Sequence, residues 1–162
     1  DVVYVYDSYS LSQETVPVHA SAINARGKWI PVMWPMDGRQ ADKGSGKSLT
    51  DQYRQEGVNM AREHFSNPPS QGMKEGTGGN SVEAGVMEML VRMQTKRLKI
   101  FKNQGKLMEE MRMYHRKDGK IVPKHDDVIS AMRYCIMSLR KARVKSYAPT
   151  QYQTDSDFNV FA

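Results

Sequence analysis

The 162 residues carry 24 Lys and Arg against 18 Asp and Glu, a net charge of +6, with 39% hydrophobic and 26% charged residues, which is enough chain for one domain with its own core and too little for two catalytic modules. The longest apolar stretch, residues 128–139, is broken by Ser130, Arg133 and Tyr134, so a transmembrane helix is excluded, and the opening Val2-Val3-Tyr4-Val5-Tyr6 has neither the basic nor the apolar region of a secretory signal. One cysteine, Cys135, rules out an internal disulfide and a thiol cluster for zinc, and suits a reducing cytosol.

Residues 2–9 alternate β-branched and aromatic side chains and predict a strand; residues 29–34 predict a second, buried one. Between them, residues 18–25 are rich in Ala and Ser and leave a short helix open. Residues 48–65 begin with a capping Ser or Thr and carry Leu49, Tyr53, Val58, Met60 and Phe65, a helix pattern weakened by Gly57. Residues 66–80 hold two prolines and four glycines and predict a loop. A helix follows over residues 81–96, capped by Asn80 or Ser81, then a short buried strand over 98–101 and a helix over 105–114. Lys117-Asp118-Gly119-Lys120 signals a tight hairpin turn. The strongest helix is expected over residues 126–145, with Val128, Ile129, Met132, Cys135, Ile136 and Leu139 on one buried stripe. Residues 146–162 read as a tail, which leaves residues 1–145 as the domain. Alternating strands and helices predict an α/β layer fold.

Charge is placed unevenly. Residues 92–145 contain sixteen Lys and Arg and five Asp and Glu, a net of +11, against −5 for the remainder. Such a block fits a polyanion partner, because each neutralised phosphate releases counterions; it also fits the solvated faces of ordinary helices.

Asp37 follows the second predicted strand, at the carboxyl end where open α/β sheets bind ligands, although an Asp before Gly is also an ordinary turn residue. Asp126 and Asp127 adjoin at the start of the last helix, where either can serve as a cap. Oxygen donors on separate elements, with no Cys cluster and only four His, point to Mg²⁺ or Mn²⁺ rather than zinc. A pair of such ions activates water and stabilises the leaving oxygen in phosphodiester hydrolysis. His125, which helical spacing places near the apolar stripe, is expected to be a packed or hydrogen-bonded structural histidine rather than a ligand. Residues 41–48 end like a phosphate-binding P-loop, but Ala41 stands where the pattern needs Gly, residues 35–40 separate the loop from its strand, and no apolar strand ending in Asp-Glu follows. A Gly-Ser loop whose Lys43 and Lys47 touch DNA phosphates is expected instead. Cys135, placed on the buried stripe, is not expected to be a nucleophile.

Four segments then carry a resemblance: residues 29–38 (Trp29-Ile30-Pro31-Val32-Met33-Trp34-Pro35-Met36-Asp37-Gly38), residues 98–101, residues 107–114, and residues 124–134 with His125-Asp126-Asp127. Together they resemble the C-terminal nuclease domain of the large terminase subunit of tailed double-stranded DNA bacteriophages, over about residues 2–142. The resemblance implies an RNase H-like mixed sheet flanked by helices, and a metal-dependent endonuclease that cuts concatemeric DNA during packaging. Asp37, Asp126 and Asp127 would be the catalytic and metal-binding acids of a two-ion Mg²⁺ or Mn²⁺ site, with Asp127 the favoured direct ligand. The first acid of that family lies on a preceding strand. Asp1 and Asp7 flank the opening strand here without matching it, and the expectation is an N-terminally incomplete or degenerate domain.

Lys43, Lys47, Lys102, Lys106, Arg116, Lys117, Lys120 and Lys124, with Lys96, Lys99 and Arg112 on the same surface, are expected to hold double-stranded DNA by its phosphates. The implied partners are the portal protein and the small terminase subunit, with no membrane, in the cytoplasm of the infected host. The alternative is a non-catalytic DNA-binding or portal-docking fragment of the same motor, the tail from Ser146 being the docking segment. A resolvase-like nuclease, preferring branched DNA, is a third expectation.

Overall fold

A computed structural model describes residues 1–41, 46–74 and 77–144; Lys43 and the tail 146–162 lie outside the described residues. The opening strand β1 (Val3–Val5) leads to helix α1 (Val16–Ala25), which enters through Thr15 and Pro17, a proline in the first turn costing no hydrogen bond. Helix α2 (Leu49–Gln55) starts at Ser48, whose hydroxyl accepts from the Asp51 amide. It stops where Gly57 adopts a φ of 79°, a left-handed conformation that glycine takes without steric cost. Helix α3 (Val82–Gln94), strand β2 (Leu98–Ile100) and helix α4 (Gly105–Met113) follow in order. The hairpin β3 (Arg116–Lys117) and β4 (Lys120–Ile121) comes next, then helix α5 (Asp127–Met137).

The strand pair β1 and β2 is parallel, with Val3 opposite Leu98 and Val5 opposite Ile100. Helix α5 lies against α3 and α4. Met89, Leu98, Leu107, Val128, Ile129, Met132 and Ile136 form the main cluster, and Leu107 is 0% exposed. Four secondary elements separated by up to about forty residues therefore share one core, and the apolar face of α5 supplies its largest part. In the hairpin, Lys117 pairs with Lys120 across a two-residue turn, Asp118 and Gly119 at φ 50° and 76°. Two positive φ values are what a turn matching the right-handed twist of its strands requires.

Several expectations change. Residues 29–34 are not a strand: one parallel bridge joins Val32 to Met60, with the Val32 amide donating to Asn59 O and Ala61 N donating back to Val32 O. Pro31 and Pro35 have no N–H with which to extend that ladder. Residues 58–65 do not continue α2 but lie beside this segment, the Phe65 amide donating to Trp34 O and the Trp34 indole donating to Ala61 O at 2.8 Å. Helix α5 ends at Met137, and a 3-10 turn (Leu139–Lys141) follows. His125 is exposed at φ 53°, outside the helix, so it does not pack on the apolar stripe. Cys135 is exposed rather than buried, although the protein around it pushes its thiol pKa up, and the inert reading of that thiol is unaffected. In its place Arg133 is the buried member of the helix, 4% exposed.

Candidate active site

The acidic end of α5 is organised by a residue from another helix. Asp126 occupies the N-cap position, yet its side chain makes no cap bond. The amides of Val128 and Ile129 donate instead to Glu110 Oε2 at 2.8 and 3.0 Å. Those are the donors an N-cap side chain ordinarily satisfies. Glu110 is 3% exposed, and the positive end of the α5 dipole favours a carboxylate there. Its place on α4 follows from spacing: Leu107, Glu110, Met111 and Tyr114 share the inward face of that helix, so a carboxylate stands on an otherwise apolar stripe. That irregularity was the available signal, and the sequence reading passed over it.

With the amides occupied, Asp126 and Asp127 face elsewhere. Ser130 Oγ donates to Asp126 Oδ2 at 3.3 Å, and Asp127 is exposed. Tyr114 stands nearby, its phenol pushed up first by burial and then by the Asp126 charge. Beside this end of the helix a polar recess is lined by Asp7, Ser8 and Ser10 after β1, by Asn103, Gln104 and Lys106 around the start of α4, and by Val128. Gln104 is buried and donates to Tyr6 O at 2.9 Å, tying α4 to the end of β1. The Asp7 carboxylate is held below the usual range, chiefly by its hydrogen bond from Arg26.

Asp37 stands apart from this recess. It belongs to a 3-10 turn (Met36–Arg39), is exposed, and lines a second depression with Pro35, Met36, Phe65, Asn80 and Tyr134. Tyr134 lies nearly two turns, about 10 Å, further along α5 than Asp127. Among the described residues no three His, Cys, Asp or Glu side chains are grouped so that they could hold a metal ion. The aspartates as arranged therefore do not fit a two-ion site: Asp126 and Asp127 are brought together, and Asp37 is not joined to them.

Under that second depression lies a feature the sequence reading missed. The Arg133 guanidinium sits over the Tyr134 ring at 4.5 Å and the Phe65 ring at 5.6 Å, while its Nε and Nη1 are buried without a hydrogen-bond partner among the described residues. The aromatic faces offset part of the desolvation cost. Gly85 on α3 makes the room, since a Cβ there would meet Arg133 Cγ at 2.5 Å.

The basic residues fall into distinct settings. Lys102 and Lys106 are exposed around the start of α4, and Lys106 borders the polar recess. Lys117, Lys120 and Lys124 are exposed on or just after the hairpin. Arg116 is engaged by both oxygens of Glu83 and by Gly119 O, which raises its own pKa and lowers that of Glu83. Lys47 Nζ donates to Gln55. Lys102, Lys106, Lys117, Lys120 and Lys124 are thus exposed, whereas Arg116 is held by a carboxylate.

Comparison with known proteins gives this arrangement its relatives. The large terminase subunit of Salmonella phage P22 is 39% identical over 145 residues, 89% of this chain and 28% of that protein. That of Enterobacteria phage LP7 is 38% identical over 138 residues, 85% of this chain and 27% of its own length. The chain thus spans little more than a quarter of the curated relatives it matches. The solved structure of the P22 large terminase nuclease domain matches with a TM-score of 0.75 at 39% identity, covering 88% of this chain and 70% of that one, and makes the fold RNase H-like. A family model described as the terminase RNaseH-like domain matches residues 1–139, a span that takes in β1, the turn bearing Asp37 and the whole of α5, and on that match the chain belongs to the terminase RNase H-like domain family.

Proposed function

We propose that the chain acts in a viral DNA-packaging terminase as its endonuclease domain, cutting concatemeric double-stranded DNA by phosphodiester hydrolysis. The observation that carries this reading is the 39% identity to a solved terminase nuclease domain of the same fold, with a family match spanning all three aspartates. Asp37, Asp126 and Asp127 are its proposed acids. Asp127, exposed at the start of α5, is the carboxylate best able to orient an attacking water, while Lys102, Lys106, Lys117, Lys120 and Lys124 hold the backbone phosphates without reading sequence. Arg116 and Lys47 join them once their present partners are released, and Lys43 is proposed from the sequence alone. Mg²⁺ or Mn²⁺ is the proposed cofactor of the family chemistry. The acids as arranged among the described residues do not fit a pair of ions. The domain would work in the host cytoplasm with the portal protein and the small terminase subunit; none of the described helices is long and apolar enough to cross a membrane.

The separation of Asp37 from the α5 acids favours a second reading, a non-catalytic DNA-binding or portal-docking module. Supercoiled plasmid incubated with the protein, with and without Mn²⁺, separates the two. The nuclease reading predicts metal-dependent nicking that Asp127→Asn abolishes. Plasmid that is shifted in a gel but uncut by both proteins supports the binding module.

A further inference from the structure

Helix starts in proteins normally recruit their own N-cap side chain to the free amides of the first turn. Here two aspartates stand at that point, and neither is used. Asp126 makes no cap bond, and the Val128 and Ile129 amides are both taken by Glu110 Oε2, 18 and 19 residues earlier in the chain. The work of capping is therefore moved to a buried carboxylate on α4, and the two local carboxylates are released from it.

We propose that Glu110 is the positioning residue of the acidic site: it fixes the first turn of α5 from outside the helix and thereby holds Asp126 and Asp127 in the outward-facing arrangement that DNA cleavage uses. The proposal rests on the nuclease reading above and adds to it a residue that touches no substrate. Its logic is geometric. In Glu110→Ala the amides of Val128 and Ile129 lose their acceptor, and the first turn of α5, which has no side-chain cap of its own, is free to fray. Asp126 and Asp127, at the start of that turn, then lose their fixed placement. In Glu110→Gln the amide oxygen still accepts from both amides, so the arrangement survives although the charge is gone.

The test compares wild type, Glu110→Gln, Glu110→Ala and Asp127→Asn in the full chain, reading DNA cleavage in Mn²⁺ and, separately, hydrogen exchange at the Val128 and Ile129 amides. Glu110→Ala is expected to lower kcat about tenfold or more, with KM for DNA within about twofold, as misplacement of a reacting group does. Glu110→Gln is expected to restore most of that rate and to keep both amides protected, which a role in general stability alone would not predict for kcat against KM. Cleavage by Asp127→Asn at the wild-type rate would sink the nuclease reading itself. Loss of cleavage in Asp127→Asn beside an unchanged kcat in folded Glu110→Ala would overturn the positioning role while leaving that reading standing. If no variant cleaves, the amides decide: protection unchanged in Glu110→Ala overturns the proposal, and protection lost there but kept in Glu110→Gln supports it.

Discussion

Replacing Gly85 by alanine sets two opposed energies against each other at the contact between α3 and α5. In the interior of a helix such as α3, alanine is favoured over glycine by about 1 kcal/mol. The new Cβ would stand 2.5 Å from Arg133 Cγ, 2.6 Å from Cδ and 3.4 Å from Met137 Cγ, whereas carbon atoms in contact prefer about 3.5–4.0 Å. Those Arg133 atoms belong to the middle of a side chain that is 4% exposed and pinned over two rings, so it cannot swing aside without leaving them. Overpacking of this kind costs about 1–3 kcal/mol, and the expected balance is a net loss of up to roughly 2 kcal/mol, or a fall in Tm of up to about 8 °C for a domain of this size. Urea unfolding of wild type, Gly85→Ala, Arg133→Ala and the double variant measures it. The cycle should return a coupling of at least about 0.5 kcal/mol in the relieving direction. A Gly85→Ala protein more stable than wild type, or a coupling indistinguishable from zero, would refute the reasoning.

Leu107→Ala removes the most enclosed side chain of the core, 0% exposed, and should cost about 2–5 kcal/mol in chemical unfolding. Glu83→Gln should increase DNA affinity by freeing Arg116, steepening the dependence of log K on log salt by up to about 0.9 in a binding titration. The same pair gives a pH signature. Arg116 lowers the Glu83 pKa from an ordinary 4.5, so its stabilisation is present above that value and disappears as pH falls through the lowered one; an NMR titration of Glu83 in Arg116→Ala should move back towards 4.5. Lys117→Ala and Lys120→Ala should each weaken DNA binding uniformly across sequences and flatten the salt slope by about 0.9, because exposed lysines neutralise phosphates without reading bases.

What the sequence disclosed was local. Lys117-Asp118-Gly119-Lys120 names its own turn, Ser48 its own cap, and the stripe through Val128, Met132 and Ile136 its own buried face, since each depends on neighbours within a few residues. Misreadings arose where distant contacts decided the outcome. The apolar run at residues 29–34 has the composition of a strand, but the prolines limit it to the single bridge at Val32. Cys135 is exposed where periodicity assigned it to the buried stripe, and Arg133 is buried because Gly85 opens a slot for it that no pattern within α5 records. The candidate site divides in the same way. Asp126 and Asp127 are neighbours in sequence and stay together in space, whereas Glu110 reaches them through packing of α4 on α5, visible beforehand only as a carboxylate on an apolar stripe. The expected convergence of Asp37 depended on tertiary placement, which the sequence does not encode locally.

The central claim is that the acidic start of α5 serves DNA cleavage and not DNA attachment. The most direct test is to measure, on one preparation each of wild type and Asp127→Asn, both the dissociation constant for linear duplex DNA and the single-turnover cleavage rate in Mn²⁺. The account predicts affinities within about twofold of each other and a cleavage rate lowered by at least about a hundredfold in the variant, as removal of a group acting only in the transition state requires. Equal cleavage rates would contradict it.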